Sequence, residues 1–189
     1  SSDDNRYLPR AIEVMMRALD VDPATPMVCA AMDYIDASGT VLGRADAYED
    51  DLIWVENRVG ACFLYRREAL SQVGGYDPAK VYVEDYDYWL RLRAAMGEIR
   101  RISETLYQYR LHEASLTTQK EREVWHQRGK LYLTYQAEIF RDCQNDPKLL
   151  CAMYYDFLLS DLPDTAFLRA IYDRLPELHY AAKEIPRHQ

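Results

Sequence analysis

Apolar and polar positions alternate with two different periods along the chain, and the change of period divides it. From Leu8 to Leu19, the apolar residues Ile12, Met15, Met16 and Leu19 recur at helical spacing behind Pro9, which suits a first helical turn, so an amphipathic helix is predicted. After Asp22-Pro23 and Pro26 comes an apolar run, Met27 to Ile35, closed by Asp36-Ala37-Ser38-Gly39; this reads as a buried strand entering a turn. Residues 44 to 56 carry Asp46, Glu49, Asp50 and Asp51 without a clean period and read as a surface loop. Val59 to Tyr65 reads as a second buried strand, Arg66 to Val73 as a short helix and Gly74-Gly75-Tyr76-Asp77-Pro78 as a sharp turn. From Asp85, the set Tyr88, Trp89, Leu92 and Met96 predicts a helix with its acidic end first, and Ile99 to Ile102 and Thr105 to Tyr109 predict two short strands.

Beyond Thr118 the patterns are helical only, over Gln119 to Phe140, Pro147 to Leu159 and Thr165 to Leu175. The expected organisation is therefore an α/β part, residues 1–118, and a helical extension, residues 119–189, whose Leu131, Tyr135, Ile139 and Phe140 are suited to packing on the first part or on a second copy of the chain. The 189 residues contain no run of 18 or more apolar residues, and Ser1-Ser2-Asp3-Asp4 lacks the basic and apolar regions of a signal peptide. A soluble, cytoplasmic protein without a transmembrane segment is expected, either free or peripheral to the inner face of the membrane.

A formal net charge of −8 with both signs mixed argues against a nucleic-acid surface, so any phosphate must be held locally. Cys29, Cys62, Cys143 and Cys151 have no CxxC or zinc-type spacing and suit core thiols in a reducing compartment. Sixteen Tyr against four Phe is an unusual balance; a Tyr offers a ring face together with a hydroxyl, which suits sugar sites as well as half-buried packing positions.

Three clusters carry chemistry: Ser2-Asp3-Asp4-Asn5; Val83-Glu84-Asp85-Tyr86-Asp87-Tyr88-Trp89-Leu90-Arg91; and Leu106-Tyr107-Gln108-Tyr109-Arg110-Leu111-His112-Glu113-Ala114-Ser115-Leu116-Thr117. Between them stand Val59-Gly60-Ala61-Cys62-Phe63-Leu64-Tyr65-Arg66-Arg67 and Gly74-Gly75-Tyr76-Asp77. In this order, over residues 1 to about 118, they resemble the second half of bacterial family 2 glycosyltransferases. The resemblance implies part of a GT-A fold, a mixed sheet with flanking helices, in a chain that begins at its own active-site motif and lacks the preceding βα units that hold most of the nucleotide. It implies inverting transfer of a sugar from a nucleotide-diphosphate donor, a UDP-sugar foremost, to a hydroxyl of a glycan or lipid-linked acceptor.

Adjacent carboxylates suit a hard divalent cation. The resemblance assigns Mn²⁺ or Mg²⁺ to Asp3 and Asp4, with His112 as a further ligand, although Ser2, Asp3 or Asn5 would equally cap a following helix. An acceptor hydroxyl needs a base that takes its proton as the new bond forms. The resemblance gives that role to Asp85, with Glu84 and Asp87 as neighbours expected to contact the substrate, whose charge raises the pKa of Asp85 while a helix N-terminus lowers it. Asp87 is also spaced to pair with Arg91. Arg110 is suited to a donor phosphate; Gly60 and Ala61 are expected beside the donor sugar or at a strand start that needs little volume; and Trp89, with Tyr86 and Tyr88, supplies a candidate acceptor-stacking ring. Two rivals stand beside this reading. One is a non-catalytic module that keeps the fold and binds a partner through the helical extension; the other is a carboxylate hydrolase, whose stereochemistry would follow the separation of its two acids.

Overall fold

The computed structural model describes residues 5–47, 53–111, 120–143 and 145–175. The chain divides into two compact units, Ser1–Lys120 and Glu121–Gln189.

The first unit is mixed α/β. Its elements are β1 (Arg6–Tyr7), α1 (Ala11–Val21), β2 (Met27–Ile35), β3 (Val41–Ala45), β4 (Phe63–Tyr65), α2 (Arg67–Val73), α3 (Glu84–Met96) and β5 (Arg100–Arg110). The sheet order is β1-β5-β2-β3, with β4 also paired to β2. The apolar run Met27–Ile35 lies at the centre: β5 runs parallel to it on one side, while β4 and β3 share its other side, pairing antiparallel with Met27 to Cys29 and Met32 to Ile35. Successive residues from Met27 to Ala31 are buried, so both faces of the strand are covered there, which is what a near-continuous apolar strand records.

Several expectations change for identifiable reasons. α1 begins at Ala11, not at Pro9, because Arg10 takes a left-handed conformation (φ 68°) and Pro9 falls in the turn before it. Its buried stripe is Ala11, Met15 and Leu19, packed on Val28, Ala30, Cys62, Leu106 and Tyr107, whereas Ile12 and Met16 face outward. The acidic stretch read as a surface loop begins with the last two residues of β3, Arg44 and Ala45, and near its end buries Ile53, Trp54 and Val55. The strand expected over Val59–Tyr65 shrinks to Phe63–Tyr65, since Gly60 adopts φ 70°.

The two short strands expected around residue 103 are one strand with irregular register. Ala30 pairs with Ile102 but Ala31 with Thr105 and Met32 with Tyr107, so Ser103, Glu104 and Leu106 are extra residues on β5. Such bulges bend a strand and re-aim the side chains beyond them. Arg44 Nη2 on β3 donates to the Ser103 carbonyl (2.5 Å), satisfying a group that the broken ladder leaves over.

The second unit contains α4 (Glu121–Thr134), α5 (Gln136–Cys143), α6 (Pro147–Leu159) and α7 (Thr165–Tyr172). The single segment expected from 119 to 140 divides at Tyr135, across which the i→i−4 bonds to Leu131 and from Ile139 continue. Asp146 caps α6 through the amides of Lys148 and Leu149, with Pro147 in the first turn, and Asp164 caps α7 through the Phe167 amide. Phe167 gathers Tyr132, Phe140 and Phe157 around it, so Phe140 packs within its own unit. Gly129 on α4 meets Ser160: a Cβ there would stand 2.4 Å from the serine Cβ. Among the described residues, no helix is long and apolar enough to cross a membrane.

Candidate functional site

α3 is unlike an ordinary amphipathic helix, because Tyr86, Asp87, Tyr88, Trp89 and Leu90 are buried in succession. It is wrapped from several sides. Trp89 stands edge-on to Phe63 (4.6 Å between ring centroids), Tyr88 lies against Tyr65 (5.4 Å), and Tyr86 donates its hydroxyl to the Ile53 carbonyl (2.8 Å). Trp89 and its neighbours therefore offer no free ring, and the expected acceptor-stacking residue is not Trp89. Asp87 is likewise enclosed. It holds Arg91 Nε at 2.8 Å, and that guanidinium also donates to the carbonyls of Val73 and Gly75. The pair ties the helix to the turn after α2, a structural role in place of the substrate contact expected of it.

Asp85 differs from Asp87 in every respect that matters chemically. It lies in the first turn of α3, partly buried, and no cation among the described residues pairs with it. One oxygen accepts from the Tyr86 amide (2.6 Å) and the other from Asn57 Nδ2 (3.2 Å). Burial pushes its carboxyl above the ordinary range; the Asn57 and Tyr86 bonds oppose this and the charge of Glu84 adds to it. The balance that the sequence left open is thus decided chiefly by desolvation, and Asp87, neutralised by Arg91, is not among the causes.

Asn57 was invisible to sequence reasoning, since it lies in an irregular stretch and meets Asp85 only across 28 residues. Its Oδ1 is buried without a partner among the described residues, as are Tyr88 Oη and Trp89 Nε1. Unsatisfied buried polar atoms are uncommon in folded proteins and concentrate interest on the place that holds them.

Glu84 is exposed and lines a cleft of about 400 Å³ with Tyr76, Asp77, Pro78, Lys80, Val81 and Tyr82. Burial pushes the Tyr76 phenol up to about 12, with Tyr65, Asp85, Tyr88 and Glu84 adding to the shift. The acidic start of α3, the Asn57 segment and the 76–84 turn therefore form one neighbourhood. A larger hollow of about 890 Å³, lined among others by Thr25, Glu98 and Arg101, includes none of the candidate residues.

A second grouping lies at the far end of β5. β1 pairs with β5 through Arg6–Gln108 and Tyr7–Tyr107, and Asn5 Oδ1 accepts from the Arg110 amide (2.8 Å). Asp3, Asp4 and His112 lie outside the described residues. Their nearest described neighbours, Asn5 and Leu111, belong to segments that this pairing draws together, with the Leu111 amide bonded to the Ile35 carbonyl (2.9 Å). Two carboxylates and an imidazole form a donor set that suits Mn²⁺. Among the described residues alone, no group of three or more acidic, His or Cys side chains is placed to hold a metal. The Arg110 guanidinium donates to the Asp36 carbonyl, so it clasps the strand ends where a phosphate contact was expected. No family model and no curated protein matches this chain.

The two groupings are linked through residues 57–60. Asn57 touches Asp85, while a Cβ on Gly60 would come within 3.0 Å of Met32 Cε, and Met32 pairs with Tyr107. Gly60 is thus favoured by its left-handed backbone, whatever lies beyond it, while the Met32 methyl is the far end of a flexible side chain that can give way. Ala61 packs on the sheet core.

Proposed function

We propose that the first unit is the metal-side and acceptor-side part of a GT-A glycosyltransferase, which transfers a sugar with inversion from a nucleotide-diphosphate donor to an acceptor hydroxyl. The observation that carries the reading is the Asp85 carboxylate: desolvated, unpaired with any described cation, adjacent in sequence to Glu84, which lines an open cleft, and close enough to the cleft's Tyr76 to act on its phenol. A raised pKa makes a carboxylate a stronger base once it is ionised, and a cleft beside it admits an alcohol. Asp85 takes the acceptor proton as the hydroxyl oxygen attacks the anomeric carbon, and Asn57 and the Tyr86 amide hold the carboxylate in place. Glu84 faces the same cleft and accepts hydrogen bonds from the acceptor. The bond from the anomeric carbon to the nucleoside diphosphate breaks as the new one forms; Asp3, Asp4 and His112 are the residues that would hold Mn²⁺ or Mg²⁺, which would offset the charge left on the departing diphosphate. The cysteines, of which Cys29, Cys62 and Cys143 are buried, fit a reducing, cytoplasmic setting.

The test compares the full-length protein with its Asp85→Asn variant. UDP-sugar binding in the presence of Mn²⁺ is followed by calorimetry, and UDP release is followed with methyl glycosides as acceptors. The variant is expected to bind donor normally and to lose turnover; turnover near that of the parent overturns the assignment.

A further inference from the structure

A base at Asp85 requires an acceptor bound beside it, and the surroundings of the 76–84 turn restrict what that acceptor is. Tyr76 is 48% exposed, yet its inner edge is fixed: its ring stands perpendicular to buried Tyr88 (5.2 Å, 83°) and buried Trp89 (6.4 Å, 87°). A ring held along one side and open on the other is a preformed platform that binds without ordering a mobile side chain. Val81 is also exposed on the cleft, and Tyr82 is held at φ 71° just before α3. The turn itself is braced by the Ala79 amide on Asp77 Oδ1 (2.9 Å) and the Val83 amide on the Lys80 carbonyl (3.1 Å).

The cleft, about 400 Å³, falls within the roughly 300–1,000 Å³ of small-molecule sites. Its polar groups are two phenols, the carboxylates Asp77 and Glu84, and the ammonium of Lys80, with Asp85 adjoining. The carboxylates outnumber the cation, so a phosphate-bearing acceptor is repelled, whereas a neutral polyol finds donors and acceptors around an apolar ring. We propose that this cleft is the acceptor subsite, that it takes a neutral carbohydrate, and that the Tyr76 ring is the surface on which the sugar stacks. The proposal deepens the glycosyl-transfer reading and rests on it.

Saturation-transfer NMR on this chain tests it with methyl α-glucoside, methyl β-galactoside and maltose as neutral probes and glucose 1-phosphate as the anionic one. At least one neutral saccharide is expected to receive saturation, and glucose 1-phosphate less. Tyr76→Ala weakens the binding about five- to tenfold, the scale of one aromatic contact, and Tyr76→Phe keeps it. Thermal melts establish that the variants are folded; should Tyr76→Ala fail to fold, Val81→Trp, at an exposed position, fills the cleft and abolishes binding. No saturation of any neutral saccharide, binding indifferent to both Tyr76→Ala and Val81→Trp, or tighter binding of glucose 1-phosphate overturns the proposal. Saccharide binding that depends on Tyr76, beside a full-length protein indifferent to Asp85→Asn, would leave a sugar site and remove the transferase reading. The opposite pair of results would remove the subsite alone.

Discussion

Asp85 in the α/β unit and Asp156 in the helical unit are both partly buried carboxylates on helices, yet their surroundings have opposite logic. Asp156 accepts from Arg128 Nη2 (2.8 Å) and from the Tyr132 hydroxyl (3.0 Å), and the Arg128 guanidinium lies over the Trp125 ring (4.4 Å). Charge, hydrogen bonds and packing close on one another there. Asp85 has an amide side chain and one backbone N–H, no described cation, and a neighbouring Asn57 oxygen left without a partner among the described residues. A carboxylate paired with a cation stabilises a fold; one without such a partner keeps capacity for something that arrives later.

The difference is sharpest in paired substitutions. Asp85→Asn is expected to lower turnover about 10²- to 10⁴-fold, the range of a lost general base. It should leave the melting temperature unchanged or raised near neutral pH. Because the folded-state pKa of Asp85 is raised, the folded chain holds its proton more tightly than the unfolded chain. This group's contribution therefore falls as pH climbs from the unfolded to the folded pKa, and Asn removes that loss. Melting curves of the two proteins across that acidic window test the sign; a variant destabilised at neutral pH breaks the contrast.

Asp156→Asn should do the reverse. It strands Arg128, and chemical denaturation is expected to show a loss of roughly 2–3 kcal/mol, below the ~3–5 kcal/mol of a fully buried pair because both side chains keep some water contact. Glycosyl transfer, if retained, would place the cluster outside the chemistry. Gly129→Ala, which drives a methyl into Ser160 and Leu162, should cost about 2 kcal/mol in the same denaturation measurement.

The smallest effect separates the Asp85 neighbourhood from a merely packed one. Asn57→Ala removes a bond that lowers the Asp85 pKa, so the acidic limb of the pH–rate profile should move upward. A lower rate with an unmoved limb would make Asn57 structural.

How much of the molecule could be read from the sequence depends on how local each signal is. Met27–Ile35 was legible to the residue, since a strand buried on both faces writes its burial as a nearly continuous apolar run, interrupted here only at Asp33. Pro147 to Leu159 was legible because Asp146, Pro147 and the helical period agree. α3 was harder: Asp87 is buried by its partner Arg91, so a charged letter stands at a core position and blurs the period. Ile53-Trp54-Val55 were hidden by acidic neighbours. At the site, the Glu84-Asp85 motif identified a carboxylate to examine, but not its environment. The desolvation, the Asn57 contact and the half-exposed Tyr76 ring all come from parts of the chain that meet only in three dimensions.

The irregular register of β5 has a consequence for distance along the chain. Val28 lies opposite Arg100, so an unbroken ladder would put Tyr107 opposite Ile35; the residue found there is Arg110. The strand has taken in three residues of slack, equivalent to about 10 Å of extended chain at roughly 3.3 Å per residue. The segment leading to His112 therefore leaves the sheet edge three residues later in sequence than a regular strand would allow, and because the number is odd, side chains beyond the bulges also exchange faces. Residues 103–106, none of them a candidate for the chemistry, thus act as a length setting for the motif at the end of the strand.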